Sequence, residues 1–173
     1  EALDQHGIIE AWFPEWVRLR SAPQFNALHE YTVDRHLIEC VLQSQAFVRK
    51  VDRPDLLLVA ALLHDIGKCQ EGDHSEIGAH MTRVIAPRIG VDHEDTEVLE
   101  RLVLHHLLLP DIATKRDLDD PDVISGVADA VKDTRTLELL LALSVSDSRA
   151  TGPSLRSKWR ESLLSDLARR VGA

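Results

Sequence analysis

Eight consecutive apolar residues, Leu56 to Leu63, constrain this chain more than any other stretch. A helix with no polar stripe has no side to offer water, so it must lie at the centre of other helices. The flanks agree with a helix starting after Asp52. Pro54 suits a first helical turn, Asp55 complements the positive end of the helix dipole, and Gly67 follows the expected end at Ile66. Asp65 is the odd residue, because a carboxylate in a last turn adds to the negative potential of the exposed carbonyls. A cation is needed there. Lys68 is one source, in which case Gly67 serves only as a left-handed stop; a bound divalent metal, held by the adjacent His64 and Asp65, is the other.

The rest of the chain repeats helical periodicity and contains no convincing alternating strand. The pattern predicts an all-α bundle of about seven to eight helices. They cover Ile8 to Leu19 (bent near Pro14), Thr32 to Val51, the apolar helix, Ser75 to Arg88, and Asp92 to about Leu108, where Pro110 is expected to stop it. Three more run from Asp120-Pro121 to Val131, from Thr134 to near Asp147, and from Leu155 to Val171. A length of 173 residues fits a single domain spanning 1–173, and the opening EALDQHG, without an initiator Met, reads as a piece cut from a larger protein. A net charge of −9 opposes binding to DNA, and no apolar run approaches the roughly 20 residues that a membrane span needs. Two cysteines, Cys40 and Cys69, point to a reducing cytoplasm rather than a disulfide scaffold, and no feature near Cys69 suggests a thiolate nucleophile.

Several other residues suit the metal that Asp65 invites. His36 lies on or beside the inner face of its helix. His74 opens one helix, His105 and His106 end another, and Asp147 ends the apolar helix beginning at Thr134. Singly, each reads as a core or capping residue; together they read as one metal site. His6, His80 and His93 lack such company and read as solvated, and His29 is at most a supporting or substrate-side residue.

The pattern of His36, then His64-Asp65 twenty-eight residues later, then Asp147 resembles the H…HD…D signature of the HD-domain metal-dependent phosphohydrolases. A narrower resemblance covers nearly the whole chain. FNALHEYTVDRH (25–36), LLHDIGK with GDHSEIGA (62–79), LVLHHLLLPDIATKRDLDDP (102–121) and SDSRATGPSLRSKW (146–159) are similar to the HD domain of bifunctional uridylyltransferase/uridylyl-removing enzymes. That resemblance implies removal of UMP, or of AMP as in actinobacterial relatives, from a tyrosine of the nitrogen-regulatory protein PII. It implies a nucleotidyltransferase domain and ACT domains elsewhere in the full-length chain. It also implies one or two divalent ions (Mn, Mg, Fe or Zn) held by His36, His64, Asp65 and Asp147, with Asp65 bridging to a second ion at His74 and His105. His106 is the alternative to His105. Lys68 and Arg116 become candidate phosphate contacts beside Asp65. Two other readings remain: hydrolysis of a free nucleotide, or a regulatory module that binds metal or nucleotide without turnover.

Overall fold

The computed structural model describes residues 2–24, 30–152 and 157–172. His29 lies outside the described residues. Ten α-helices and two short 3₁₀ turns account for the regular structure, and there is no strand among the described residues. The short α1 (Ala2–Gln5) and α2 (Ile8–Trp12) lead into a 3₁₀ segment at Pro14–Arg18. Then come α3 (Val33–Ser44), α4 (Pro54–Leu63), α5 (His74–Arg88), α6 (His93–Leu104), α7 (Leu108–Lys115), α8 (Pro121–Val131), α9 (Thr134–Thr151) and α10 (Lys158–Val171).

The apolar run becomes α4, and it sits where its composition requires. Leu57, Ala60, Ala61 and Leu63 are wholly buried, and α4 packs against α3, α6 and α9. Burying each of its leucines contributes roughly 1.5–3 kcal/mol. On one side lies the larger core, shared with α6, α9 and α10; on the other, a smaller cluster formed with Trp16, Leu19, Leu37 and Ile85. Helix starts follow the capping signals. Asp73, Asp92, Asp120 and Asp133 each accept a hydrogen bond from a backbone N–H of the first turn of α5, α6, α8 and α9.

Several boundaries differ from the sequence expectation. The helix expected from Thr32 to Val51 ends as α3 at Ser44 and gives way to a 3₁₀ turn at Gln45–Phe47, and the apolar helix ends at Leu63 rather than Ile66. The first expected helix is broken into α2 and a 3₁₀ turn at Pro14. The helix after Asp92 ends at Leu104, and a separate α7 begins at Leu108. Pro110 therefore does not stop a helix; it occupies the first turn of α7, where a missing N–H costs nothing. Finally, α9 runs four residues past Asp147, so that carboxylate projects from within a helix rather than from its end. Cys40 and Cys69 are both free, the first buried and the second exposed.

Gly67 also takes a role that the sequence did not suggest. It is not among the glycines of positive φ, so it is no left-handed stop. A Cβ added there would stand 2.2 Å from the carbonyl oxygen of His74 and 2.5 Å from the amide nitrogen of Gly78. The bare backbone lets the turn after α4 lie directly against the start of α5. Gly78 repeats the device one layer on: its Cβ would stand 3.0 Å from Val103 Cγ1 of α6. The two glycines draw the ends of α4, α5 and α6 together, which sets up the site.

Candidate metal centre

Four imidazoles stand in a row across the bundle. The ring centroids of His36 and His64 are 5.2 Å apart, those of His64 and His106 are 5.3 Å apart, and those of His106 and His74 are 5.3 Å apart. They come from α3, the end of α4, the turn after α6 and the start of α5. The Asp65 carboxylate straddles the row. Its Oδ2 is 3.5 Å from Nε2 of both His36 and His64, while its Oδ1 is 3.5 Å from His74 Nε2 and 3.7 Å from His106 Nε2. Two groups of metal-type donors result, His36–His64–Asp65 and Asp65–His74–His106, with Asp65 common to both. From α9, Asp147 Oδ1 joins the first group at 3.0 Å from His36 Nε2 and 3.5 Å from His64 Nε2.

The donor chemistry fits a cation. His64 Nδ1 donates to Ala61 O at 3.0 Å, and His106 Nδ1 donates to Val103 O at 2.7 Å, each reaching a carbonyl left open near a helix end. With the proton committed to Nδ1, the lone pair of Nε2 faces the row. His36 Nε2 and His64 Nε2 lie 3.2 Å apart with two carboxylates beside them. Neighbouring ligands on one ion, each about 2.0–2.2 Å from it, stand roughly 3 Å apart, as these donors do. No ion is needed to explain the carboxylates' charge, but the arrangement is one a divalent ion would use.

Electrostatics point the same way. Burial alone would raise the pKa of Asp65, yet the His64 imidazole and the Lys68 ammonium hold it well below the usual carboxylate range. Burial likewise acts to raise Asp147, and hydrogen bonds from His36 and His64 overcome it, so this carboxyl too stays ionised. Burial disfavours charge on His64, but Asp65 and Asp147 outweigh it and raise that imidazole's pKa well above its ordinary value. A proton and a metal ion compete for one lone pair, so the potential that holds the proton is also the potential that attracts a cation. His106 is the contrast. Burial pushes its pKa down to about 4 despite Asp65, leaving it neutral and ready to ligate at pH 7.

The structure separates the two adjacent histidines. His106 is 1% exposed and faces Asp65. His105 belongs to neither donor group; of the two alternatives, it is His106 that the fold brings together with His74 and Asp65. The cause is the break between α6 and α7: His105 caps α6 with φ −106°, and the chain turns there instead of continuing as helix. Lys68 supplies the compensating cation foreseen for Asp65, donating to its Oδ2 at 2.6 Å and to Gln24 Oε1 at 2.6 Å. A counter-charge and a metal-type cluster thus coexist rather than exclude one another. Arg116, at the end of α7, is exposed and belongs to neither donor group. His6, His80 and His93 are exposed, as expected.

Sequence reasoning did not find Gln24 or Thr151. Gln24 orients Lys68, and the Thr151 hydroxyl, one turn beyond Asp147, lies 3.3 Å from its Oδ1. A glutamine outside any motif gives no signal. A threonine four residues after a candidate ligand gives a weak one, since residues at that spacing share a helix face.

Fold and site together define an all-helical domain built around a histidine–aspartate cluster suited to metal. The HD domain family profile matches residues 33–145, and the chain belongs to that family. The match takes in His36, His64, Asp65, His74 and His106 and stops two residues short of Asp147. Among similar curated proteins, the bifunctional uridylyltransferase/uridylyl-removing enzyme of Streptomyces coelicolor is 55% identical over 171 residues, 99% of this chain and 20% of the relative. The enzyme of the same name from Mycobacterium tuberculosis H37Rv is 46% identical over 98% of this chain and 21% of its own length. That from Gluconobacter oxydans is 41% identical over 98% and 19%. The chain therefore spans about a fifth of the length of the curated relatives it matches.

Proposed function

We propose that this chain is a metal-dependent phosphodiesterase that removes UMP, or AMP, from a tyrosine of the PII nitrogen-regulatory protein. The observation that carries the reading is the division of Asp65 between two imidazole pairs, reinforced by relatives whose name includes uridylyl-removing activity. His36, His64, Asp65 and Asp147 would hold one divalent ion, and Asp65, His74 and His106 would hold a second. With imidazole and carboxylate mixed, Mn, Fe and Zn match the donors better than Mg. Such an ion would lower the pKa of its bound water toward about 7 and neutralise charge on phosphoryl oxygens.

The chain's own residues do the rest. The backbone carbonyls of Ala61 and Val103 fix the tautomers of His64 and His106, so both present Nε2 without rearrangement. Asp65 and Asp147 remain ionised at neutral pH and keep the site anionic until cations enter. His74 and Asp147, with side chains 31% and 15% exposed, form the open rim by which a phosphodiester approaches. Lys68 stands at that rim, 19% exposed, with its ammonium held in place by Asp65 and Gln24 to meet a phosphoryl oxygen. The leaving phenol, of pKa about 10, departs with little protonation, so no dedicated general acid is required.

In this reading the nucleotidyltransferase and ACT domains lie elsewhere in the full-length chain, and the reaction belongs to the cytoplasm. The test is to incubate the metal-loaded chain with uridylylated PII, adenylylated PII and free nucleotides, and to follow nucleotide release. Release of UMP or AMP from PII, abolished by Asp65→Asn and by Asp147→Ala, is expected. Intact PII conjugates alongside hydrolysed free nucleotides would transfer the assignment to the free-nucleotide reaction, and unchanged turnover in both variants would remove the site from catalysis.

A further inference from the structure

The ammonium of Lys68 carries three N–H donors and no acceptor. One meets Asp65 Oδ2 at 2.6 Å and another meets Gln24 Oε1 at 2.6 Å, which leaves the third for an oxygen brought from outside. The two contacts are unequal. Asp65 Oδ2 also lies 3.5 Å from Nε2 of both His36 and His64, so an ion held by those imidazoles draws on the same oxygen and loosens its hold on the ammonium. The Gln24 carbonyl has no such competitor. Its orientation is fixed from both ends: Oε1 must face Lys68, which only donates, while Nε2 donates to Tyr31 O at 3.3 Å. Gln24 is presented by an anchored segment. Trp16 and Leu19 are buried in the smaller core with Leu63 and Ile66 at the end of α4, and Val33 N donates to Ala22 O at 2.9 Å. The HD profile begins at residue 33, so Gln24 reaches the rim from outside the part of the chain that the family defines.

Resting on the phosphodiesterase reading above, we propose that Gln24 is a positioning residue for phosphate binding: it acts through Lys68, aiming the free N–H of that ammonium at a non-bridging phosphoryl oxygen. A lysine stem is long and flexible, and ordering such a side chain at the moment of binding weakens affinity by roughly two- to tenfold. Gln24 makes that ordering part of the fold, before a phosphate arrives. A neutral amide suits the task. A carboxylate in its place would set a second negative charge beside the ammonium and face the Tyr31 carbonyl, opposing an incoming phosphate. The contact concerns phosphoryl oxygens, which UMP and AMP share, so it does not depend on which nucleotide is released.

The test is a double-mutant cycle on Gln24→Leu and Lys68→Met, read by calorimetric binding of inorganic phosphate at Mn concentrations that saturate each protein. The parent chain is expected to bind phosphate. Lys68→Met should bind it at least about tenfold more weakly, the loss expected for one hydrogen bond from a charged group. Gln24→Leu should bind it roughly two- to tenfold more weakly. Adding Gln24→Leu to Lys68→Met should change nothing further, because a residue that works through the ammonium has no effect once the ammonium is gone. A merely structural role for Gln24 predicts the opposite, the same loss in both backgrounds. That additive result overturns the proposal, as does parental affinity in Gln24→Leu, undiminished affinity in Lys68→Met, or no phosphate binding by the parent. Nucleotide release from PII is a separate measurement: a chain that binds phosphate through the coupled pair but spares PII refutes the phosphodiesterase reading and leaves the role of Gln24 standing, whereas release of nucleotide together with additive losses does the reverse.

Discussion

Replacing Gly67 by Ala puts a methyl group where the fold has no room. Its carbon would stand 2.2 Å from His74 O and 2.5 Å from Gly78 N, against a favourable separation of about 3.5 Å. Both neighbours are backbone atoms of α5, so no side-chain rotation relieves the clash, and the start of α5 must retreat by about 1 Å. Overpacking of this kind costs about 1–3 kcal/mol. A domain of this size loses roughly 2–4 °C of Tm per kcal/mol, so the expected fall is about 2–12 °C. The cost is steric alone, because Gly67 does not use a positive φ. His74 moves with α5, and its Nε2, now 3.5 Å from Asp65 Oδ1, is carried away from the shared carboxylate. Thermal unfolding by circular dichroism in EDTA reads the stability term, and metal analysis after reloading reads the site. A Tm within about 1 °C of the parent together with full metal content would refute the argument that this close approach assembles the centre.

Three further outcomes follow from the geometry. His106→Ala should lower the metal content by one ion per chain, whereas His105→Ala should leave it unchanged; plasma mass spectrometry of the two proteins separates the cases. In the metal-free chain, His106 binds its proton only below about 4 when folded but near 6.5 when unfolded. The unfolded chain therefore holds more protons between those values, and stability must fall as pH drops from 6.5 to 4, by up to about 3 kcal/mol from this residue. Urea titrations at several pH values should show that slope, and His106→Gln should flatten it. His64 acts in a different window: its raised pKa gives stability that is complete below about 6.5 and is lost as pH rises through the folded value. Finally, Leu57→Ala, at a fully buried position in α4, should cost about 2–5 kcal/mol in the same titrations.

What was legible in the sequence was what local chemistry determines. An apolar run with no polar side becomes the central α4, and aspartates before helical stretches become caps, because both depend only on near neighbours. The chain positions of His36, His64, Asp65, His74 and Asp147 marked them as candidates to share an ion, since an imidazole or carboxylate at the edge of an apolar face needs a partner. Other features depended on distant packing. Whether His105 or His106 turns inward is set by the break between α6 and α7; Pro110 marks that break, but a proline after a helical run signals a terminator as readily as a first-turn residue. The role of Gly67 is invisible without α5 beside it. Gln24 becomes informative only when Lys68 is seen to lean on it.

Anomalous diffraction from crystals of this chain grown with Mn tests the central claim most directly. The account predicts one peak among His36, His64, Asp65 and Asp147 and a second among Asp65, His74 and His106, with the carboxylate of Asp65 contacting both. Peaks elsewhere, a second ion held by His105, or the same two peaks in Asp65→Asn would contradict it.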